Sequence, residues 1–301
     1  MRKSGVVTNL ESVAADEATT AEQKRRAAQE KPLAALYDTA LLDLDGVVYR
    51  GADAVPNAVP ALLSAAGAGM RLAYVTNNAS RTPQAVASHL RELGLPADAD
   101  DVVTAAQAVA RIIAEQVPEG ARVLAIGGEG LRQALLEHRL TLVNSAEDNP
   151  AAVVQGYRPD TMWKDLAEAA YAIQRGAPWF AANTDRTMPT ARGIAPGNGA
   201  LVGAVAAATG TWPTVAGKPE PALHRETMIR TKAQRPLIVG DRLDTDIEGA
   251  NRAGVDSLLV LTGVTRLQDL KDAPKEHQPT YLAQDLRGLL DPSRLMQWRD
   301  A

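Results

Sequence analysis

The chain has 301 residues, enough for about two domains, and its 36 acidic and 32 basic side chains leave a net charge of −4 with 46% hydrophobic residues. That balance implies a folded protein, and without a basic excess it argues against nucleic acid as a partner. The absence of cysteine excludes disulfides and thiolate metal sites, and the four histidines (His89, His138, His224, His277) have no zinc-ligand spacing.

In chain order, residues 1–35 read as an extension, rich in Ala, Glu, Gln, Lys and Arg, expected to be disordered or loosely helical and without chemistry. No apolar stretch follows Arg2 and Lys3, so it does not read as a secretory signal. Near-continuous apolar runs then begin at Ala40, Leu72, Leu237 and Ser257, each bounded by turn residues. Strands buried on both faces of a parallel sheet read this way. Helical patterns over 58–66, 82–93, 104–116 and 244–253 alternate with them, which predicts an α/β fold with a doubly wound parallel sheet. The middle of the chain repeats the pattern, with strands expected near 122–127, 152–156 and 179–183 and helices over 130–137 and 164–175. Periodicity leaves open whether 118–212 continues the first sheet or forms a separate inserted domain. The longest apolar run, Ala200 to Ala208, has nine residues, about half a membrane span, so no membrane partner and a cytoplasmic location are expected. Trp163, Trp179, Trp212 and Trp298 read as core or interface residues, Asp244 as a helix cap, and Gly197-Asn198-Gly199 as a closely packed helix start rather than a nucleotide loop.

Polar residues gather where strands end: Asp43 and Asp45, then Thr76, Asn77 and Asn78, then Asp241. In open parallel sheets ligands bind outside the carboxyl ends of the strands. Asp43 and Asp45, two apart, project to the same side of an extended chain and repel unless a cation or a shared proton intervenes. Mg²⁺, with Mn²⁺ as a substitute, suits an all-oxygen site that Asp241 would complete. Gly46 lets backbone N–H groups approach a phosphate.

Asp43-Leu44-Asp45-Gly46-Val47, Val75-Thr76-Asn77-Asn78, Gly217-Lys218-Pro219 and Gly240-Asp241-Arg242-Leu243-Asp244-Thr245-Asp246 resemble, in order, the four motifs of the haloacid dehalogenase (HAD) superfamily. The TNN and GKP forms and the long insertion between them resemble the branch with a type-two, NagD-like cap. Asn78-Ala79-Ser80-Arg81, Met188-Pro189-Thr190 and Pro196-Gly197-Asn198-Gly199 look closest to bacterial glycerol-3-phosphate phosphatases.

The resemblance implies a catalytic core over 36–117 and 213–301 and an inserted, smaller α/β cap over 118–212. It implies Asp43 as nucleophile, Asp45 as acid and base, and Thr76, Asn77, Asn78, Gly46 and Lys218 around the phosphoryl group. It places Mg²⁺ on Asp43, the Asp45 carbonyl and Asp241, with Asp246 behind them. Met188, in a segment over 183–198 expected to be a loop rather than a strand or helix, would face the leaving group. The expected reaction is hydrolysis of a small phosphorylated metabolite, glycerol 3-phosphate first. Phosphoglycolate, pyridoxal phosphate, nucleoside monophosphates and 4-nitrophenyl phosphate are the alternatives, with a non-catalytic phosphate-ester-binding regulator as the rival class. A homodimer through the cap is the partner expected besides substrate. Asp45 argues against a dehalogenase, whose leaving halide needs no proton.

Overall fold

In a computed structural model, residues 23–190 and 192–297 are described. Trp298 and the first 22 residues of the expected extension lie outside them. The strands, in chain order, are β1 (Thr39–Leu42), β2 (Tyr49–Arg50), β3 (Asp53–Ala54), β4 (Arg71–Thr76), β5 (Val102–Thr104), β6 (Arg122–Ile126), β7 (Thr141–Val143), β8 (Ala152–Gln155), β9 (Trp179–Ala181), β10 (Thr187–Thr190), β11 (Gly193–Pro196), β12 (Thr214–Val215), β13 (Pro236–Gly240), β14 (Asp256–Val260) and β15 (Tyr281–Ala283).

Six of them form a parallel sheet in the order β15-β14-β13-β1-β4-β5. β1 lies in its middle and is buried throughout, as its uninterrupted apolar run requires. β1 and β4 meet at Leu42 and Tyr74, so Asp43 and Thr76 emerge at the same end of the sheet. A second parallel sheet has the order β12-β9-β8-β6-β7. Alternation along its strands serves two layers. Leu124, Ile126, Val153, Trp179 and Ala181 pack with residues of the helices Trp163–Gln174 and Asn198–Thr209. Val123, Ala125, Val154 and Phe180 join Val109 and Ile113 of the helix Ala105–Ala114, which follows β5 of the first sheet. One apolar cluster therefore runs continuously from the first sheet into the second.

Val215 pairs with Ala181, so the second sheet continues past position 212. The segment over 183–198 contains a hairpin, β10 against β11, where a loop was expected. Among the described residues of its two strands none is fully buried, so they carry no buried face to impose an apolar alternation. The helix Pro221–Thr231 was not legible either, because the residues it buries include His224, Glu226, Thr227 and Thr231 as well as Leu223.

The described part of the extension is not a loose tail. Residues 23–30 are helical and Ala28 is buried. Lys24 pairs with Asp256 at 2.9 Å, Arg25 donates to the Thr280 carbonyl at 3.3 Å, and Leu33 is fully buried. Tyr37 donates to Asp256 at 2.8 Å and meets the Tyr281 hydroxyl at 2.9 Å. Of the tryptophans described, Trp179 is in the core, whereas Trp163 and Trp212 are exposed.

Candidate active site

The polar residues singled out by sequence converge at the carboxyl ends of β1, β4 and β13. Asp43 N–H donates to the Val239 carbonyl at 2.8 Å, so the ladder between β1 and β13 fixes the first residue past the strand. Leu44, Val47 and Val48 are fully buried and anchor the turn that follows. Asp45 is left exposed at the mouth of the site. Gly46 adopts φ +88°, and a Cβ there would stand 2.8 Å from Asp241 Oδ2, so both the backbone and the space require glycine.

Lys218 is buried and its ammonium is shared between Asp43 and Asp246, the latter at 2.7 Å. Burial works against its charge, but Asp246 and Asp43 outweigh that and hold the pKa above the usual lysine range. Asp246 spends its other oxygen on the backbone N–H groups of Asp241 (3.2 Å) and Arg242 (3.1 Å). It thereby locks the turn after β13 and orients the lysine. Asp244, expected as the cap, is exposed and paired with Arg242 at 2.8 Å. The segment Leu243–Ile247 is a π-helical turn, and it brings Asp246 rather than Asp244 to the free N–H groups.

Thr76 is buried, and its hydroxyl accepts from Asn78 N–H at 3.1 Å while keeping its own proton to donate. Asn77 and Asn78, expected to touch the phosphoryl group, have their side chains committed elsewhere. Asn77 Oδ1 accepts from Lys218 N–H at 2.7 Å, and Nδ2 donates to the Lys218 carbonyl at 3.2 Å and to Asp185 at 3.3 Å. Asn78 Oδ1 accepts from the Ser80 N–H and hydroxyl. Asn78 N–H is spent on the Thr76 hydroxyl, so the main-chain N–H of Asn77 is what this strand end has left for a phosphate.

Sequence reasoning missed three residues that belong to this cluster. Asn183 Nδ2 donates to the Asn77 carbonyl at 2.7 Å, Asn198 Nδ2 to the Asn183 carbonyl at 2.7 Å, and Asp185 accepts from Asn77. Together they tie the segments on either side of the β10–β11 hairpin to Asn77, which in turn bonds the main chain of Lys218. Gly199 was read as a packing glycine, and a Cβ there would stand 2.6 Å from the Thr184 carbonyl carbon. That tightness was the available signal. Met188 lies three residues beyond Asp185, half-buried and opposite Ala195 in the hairpin. The residues of this segment that bond directly to Asn77 are Asn183 and Asp185.

Oxygens of Asp43, Asp241 and Asp246 lie within 4.8 Å of one another. Desolvation pushes the Asp43 carboxyl well up despite Lys218, with Asp246 and Asp241 adding to the rise. Desolvation and Asp246 push Asp241 up to about 6. Asp241 Oδ2 accepts from Val264 N–H at 2.6 Å, whereas Oδ1 is buried with no partner. A buried acceptor without a donor is costly, and three carboxylates share one lysine. These donors fit a hard divalent cation between Asp43 and Asp241.

Two family models match this chain. Residues 40–141 match the haloacid dehalogenase-like hydrolases and residues 215–289 the HAD-hydrolase-like model. The chain belongs to the HAD hydrolases. It is 50% identical over 266 residues to the D-glycerol 3-phosphate phosphatase of Mycobacterium tuberculosis, covering 88% of this chain and 74% of that one. It is 37% identical to the acid sugar phosphatase of Staphylococcus haemolyticus, over 83% of this chain and 94% of the other. The crystal structure of the M. tuberculosis glycerol phosphate phosphatase in complex with magnesium superposes with a TM-score of 0.84, covering 87% of this chain and 79% of that one. This HAD hydrolase is a phosphatase, as the family and these relatives agree.

Proposed function

We propose that the chain hydrolyses glycerol 3-phosphate to glycerol and phosphate with Mg²⁺, through an aspartyl phosphate. The observation that carries the reading is the joint placement of Asp43, Lys218, Asp246 and Asp241 at one end of the sheet, in a chain half identical to a D-glycerol 3-phosphate phosphatase. The segments expected as core, 36–117 and 213–301, serve as the catalytic core except for Thr214–Val215, which complete the sheet of the cap over 118–212, and a shared apolar cluster joins the two.

Asp43 attacks phosphorus as its bond to the ester oxygen breaks. Asp45, whose carboxyl is pushed up by desolvation with Lys218 and Arg81 opposing, protonates that oxygen, which a sugar-alcohol leaving group requires. Asp45 then takes a proton from the water that attacks phosphorus and releases Asp43. Thr76 Oγ1 and the N–H group of Asn77 hold phosphoryl oxygens, whereas Gly46 N–H is spent on the Tyr49 carbonyl at 2.8 Å and the glycine serves the tight turn, and Lys218 offsets charge on the phosphoryl oxygens and on Asp43. Asp43, the Asp45 carbonyl and Asp241 would hold Mg²⁺, which when bound neutralises phosphoryl charge. A cytoplasmic location goes with a charged substrate that membranes retain, and a homodimer through the cap is consistent with the exposed Trp163 and Trp212.

The test is phosphate release from glycerol 3-phosphate, phosphoglycolate, pyridoxal phosphate, a nucleoside monophosphate and 4-nitrophenyl phosphate, each with and without Mg²⁺. Glycerol 3-phosphate should give the highest kcat/KM. No Mg²⁺-dependent release from any of them would favour a phosphate-ester-binding regulator instead.

A further inference from the structure

The phosphoryl machinery handles one end of the substrate, and the residues around Asn77 show what meets the other. Asp185 approaches Asn77 from the segment before β10, and its main chain is pinned on both sides. Its N–H donates to Asn183 Oδ1 at 3.2 Å and its carbonyl accepts from Gly199 N–H at 2.9 Å. Its two carboxylate oxygens share a single donor, Asn77 Nδ2, at 3.3 and 3.4 Å. An ionised carboxylate accommodates about four hydrogen bonds. Arg242, whose charge reaches Asp185, donates instead to Asp244 through Nε at 3.1 Å and Nη2 at 2.8 Å. Desolvation raises the Asp185 pKa, with the Asn77 hydrogen bond, Arg242 and Lys218 opposing it. An under-satisfied carboxylate thus stands one side chain away from the strand end that carries Thr76.

We propose that Asp185 recognises the leaving group, accepting hydrogen bonds from its hydroxyls and repelling leaving groups that carry their own carboxylate. The proposal rests on the phosphatase reading and deepens it, because it assigns polyol phosphates as the substrate class. A glycerol leaving group brings hydroxyls on the two carbons after the ester carbon, and these are donors of the kind Asp185 lacks. An alkyl phosphate of the same length leaves the carboxylate unsatisfied. Phosphoglycolate places a second negative charge against it. Pinning by Asn183 and Gly199 means that the carboxylate is set before substrate arrives, which is what discrimination by a single group needs.

The experiment compares kcat/KM for glycerol 3-phosphate, propyl phosphate and phosphoglycolate in wild type, Asp185→Asn and Asp185→Ala. Wild type should prefer glycerol 3-phosphate to propyl phosphate by roughly 10- to 100-fold, the range for hydrogen bonds to a charged group. Asp185→Ala should bring that ratio to within about threefold, and Asp185→Asn should raise phosphoglycolate relative to glycerol 3-phosphate by about tenfold. The relative gain on an acidic substrate is a readout that damaged folding does not produce. An equal loss on all three substrates would make Asp185 a structural tie and overturn the proposal. So would unchanged ratios. Wild type that cleaves propyl phosphate as well as glycerol 3-phosphate would also overturn it while leaving the phosphatase reading intact. A wild type that cleaves none of the three with Mg²⁺ present fails that reading instead.

Discussion

Gly263 offers a way to move one proposed metal ligand without altering any charged residue. It lies on the loop after β14, next to Val264, whose N–H holds Asp241 Oδ2 at 2.6 Å. A Cβ added at Gly263 would stand 2.6 Å from Asp241 Cβ and overlap the carboxylate beyond it. Ordinary carbon–carbon contact is roughly 3.5 Å, so in Gly263→Ala the Asp241 side chain must retreat by about 1 Å. Metal–ligand distances tolerate only about 0.2 Å. Retreat on that scale removes Asp241 from coordination, or at best reorients it, and disturbing ligand orientation alone typically costs 10- to 100-fold in metal affinity. Lys218 and Asp43 lie on other elements, so their ion pair stays; Asp246 shares the turn after β13 and holds the Asp241 main chain rather than its side chain, so its pair with Lys218 stays as long as that turn does. The assay is turnover against Mg²⁺ concentration, with thermal unfolding of the metal-free protein as control. Half-saturating Mg²⁺ should rise by at least about tenfold, with overpacking costing no more than about 1–3 kcal/mol of stability. A Gly263→Ala protein with the wild-type Mg²⁺ dependence would refute the placement of Asp241 at the ion.

Three other outcomes are expected. Asp43→Asn should abolish turnover, because an amide cannot form the acyl phosphate, while the fold survives on the remaining Lys218–Asp246 pair at 2.7 Å; turnover comparable to wild type would rule out the covalent route. Chelation by EDTA should silence the enzyme, Mg²⁺ should restore it, and Ca²⁺ should inhibit because its looser, larger coordination misplaces Asp43; full activity after thorough chelation would contradict the metal assignment. His224 is fully buried with neither ring nitrogen bonded, and desolvation, with Lys218 adding and Asp246 opposing, lowers its pKa to about 4. The folded state therefore prefers the neutral ring, so its contribution is complete above the unfolded pKa of about 6.5 and is lost as pH falls towards 4, worth roughly 3 kcal/mol in all. His224→Leu should show a smaller drop in Tm between pH 7 and pH 4.5 than wild type, and an identical drop would show that the ring does not charge on unfolding.

What could be read from sequence was whatever one chemical pattern writes into one contiguous stretch. The strands around β1, β4 and β13 are apolar on both faces, so their runs are unbroken, and the acids and amides that end them mark the site. The convergence of Asp43, Thr76 and Asp241 was legible because polar residues at a strand end have few bland explanations once three strands supply them, whereas Lys218 stood out only through the resemblance of Gly217-Lys218-Pro219 to a family motif. Short strands such as β5 and β15, three residues each, carry too little pattern to separate from a turn. The helix Pro221–Thr231 hides because Glu226 is buried between Arg111 and Arg230, an ion-paired interior that breaks the apolar stripe.

Asn77 shows a further kind of illegibility. Its type and position suggested a phosphate ligand, and both readings of an asparagine, as donor to an anion or as a structural tie, give the same letter in the sequence. Its partners decide between them, and they are distant along the chain: Asp185 and Asn183 from the segment before β10, and both main-chain groups of Lys218. Each of those partners is itself held by a neighbour, Asn183 by Asn198 and Asp185 by Gly199. A side chain that accepts from the catalytic lysine's own N–H while donating to the segment of the opposite sheet cannot shift without moving both. One amide therefore couples the main chain of Lys218 to the segment before β10 that carries Asp185. Asn183→Ala, which removes no charge, should therefore loosen Asn77 and lower kcat/KM while shifting the ratio of glycerol 3-phosphate to propyl phosphate; wild-type values of both would show that Asn77 is held without Asn183.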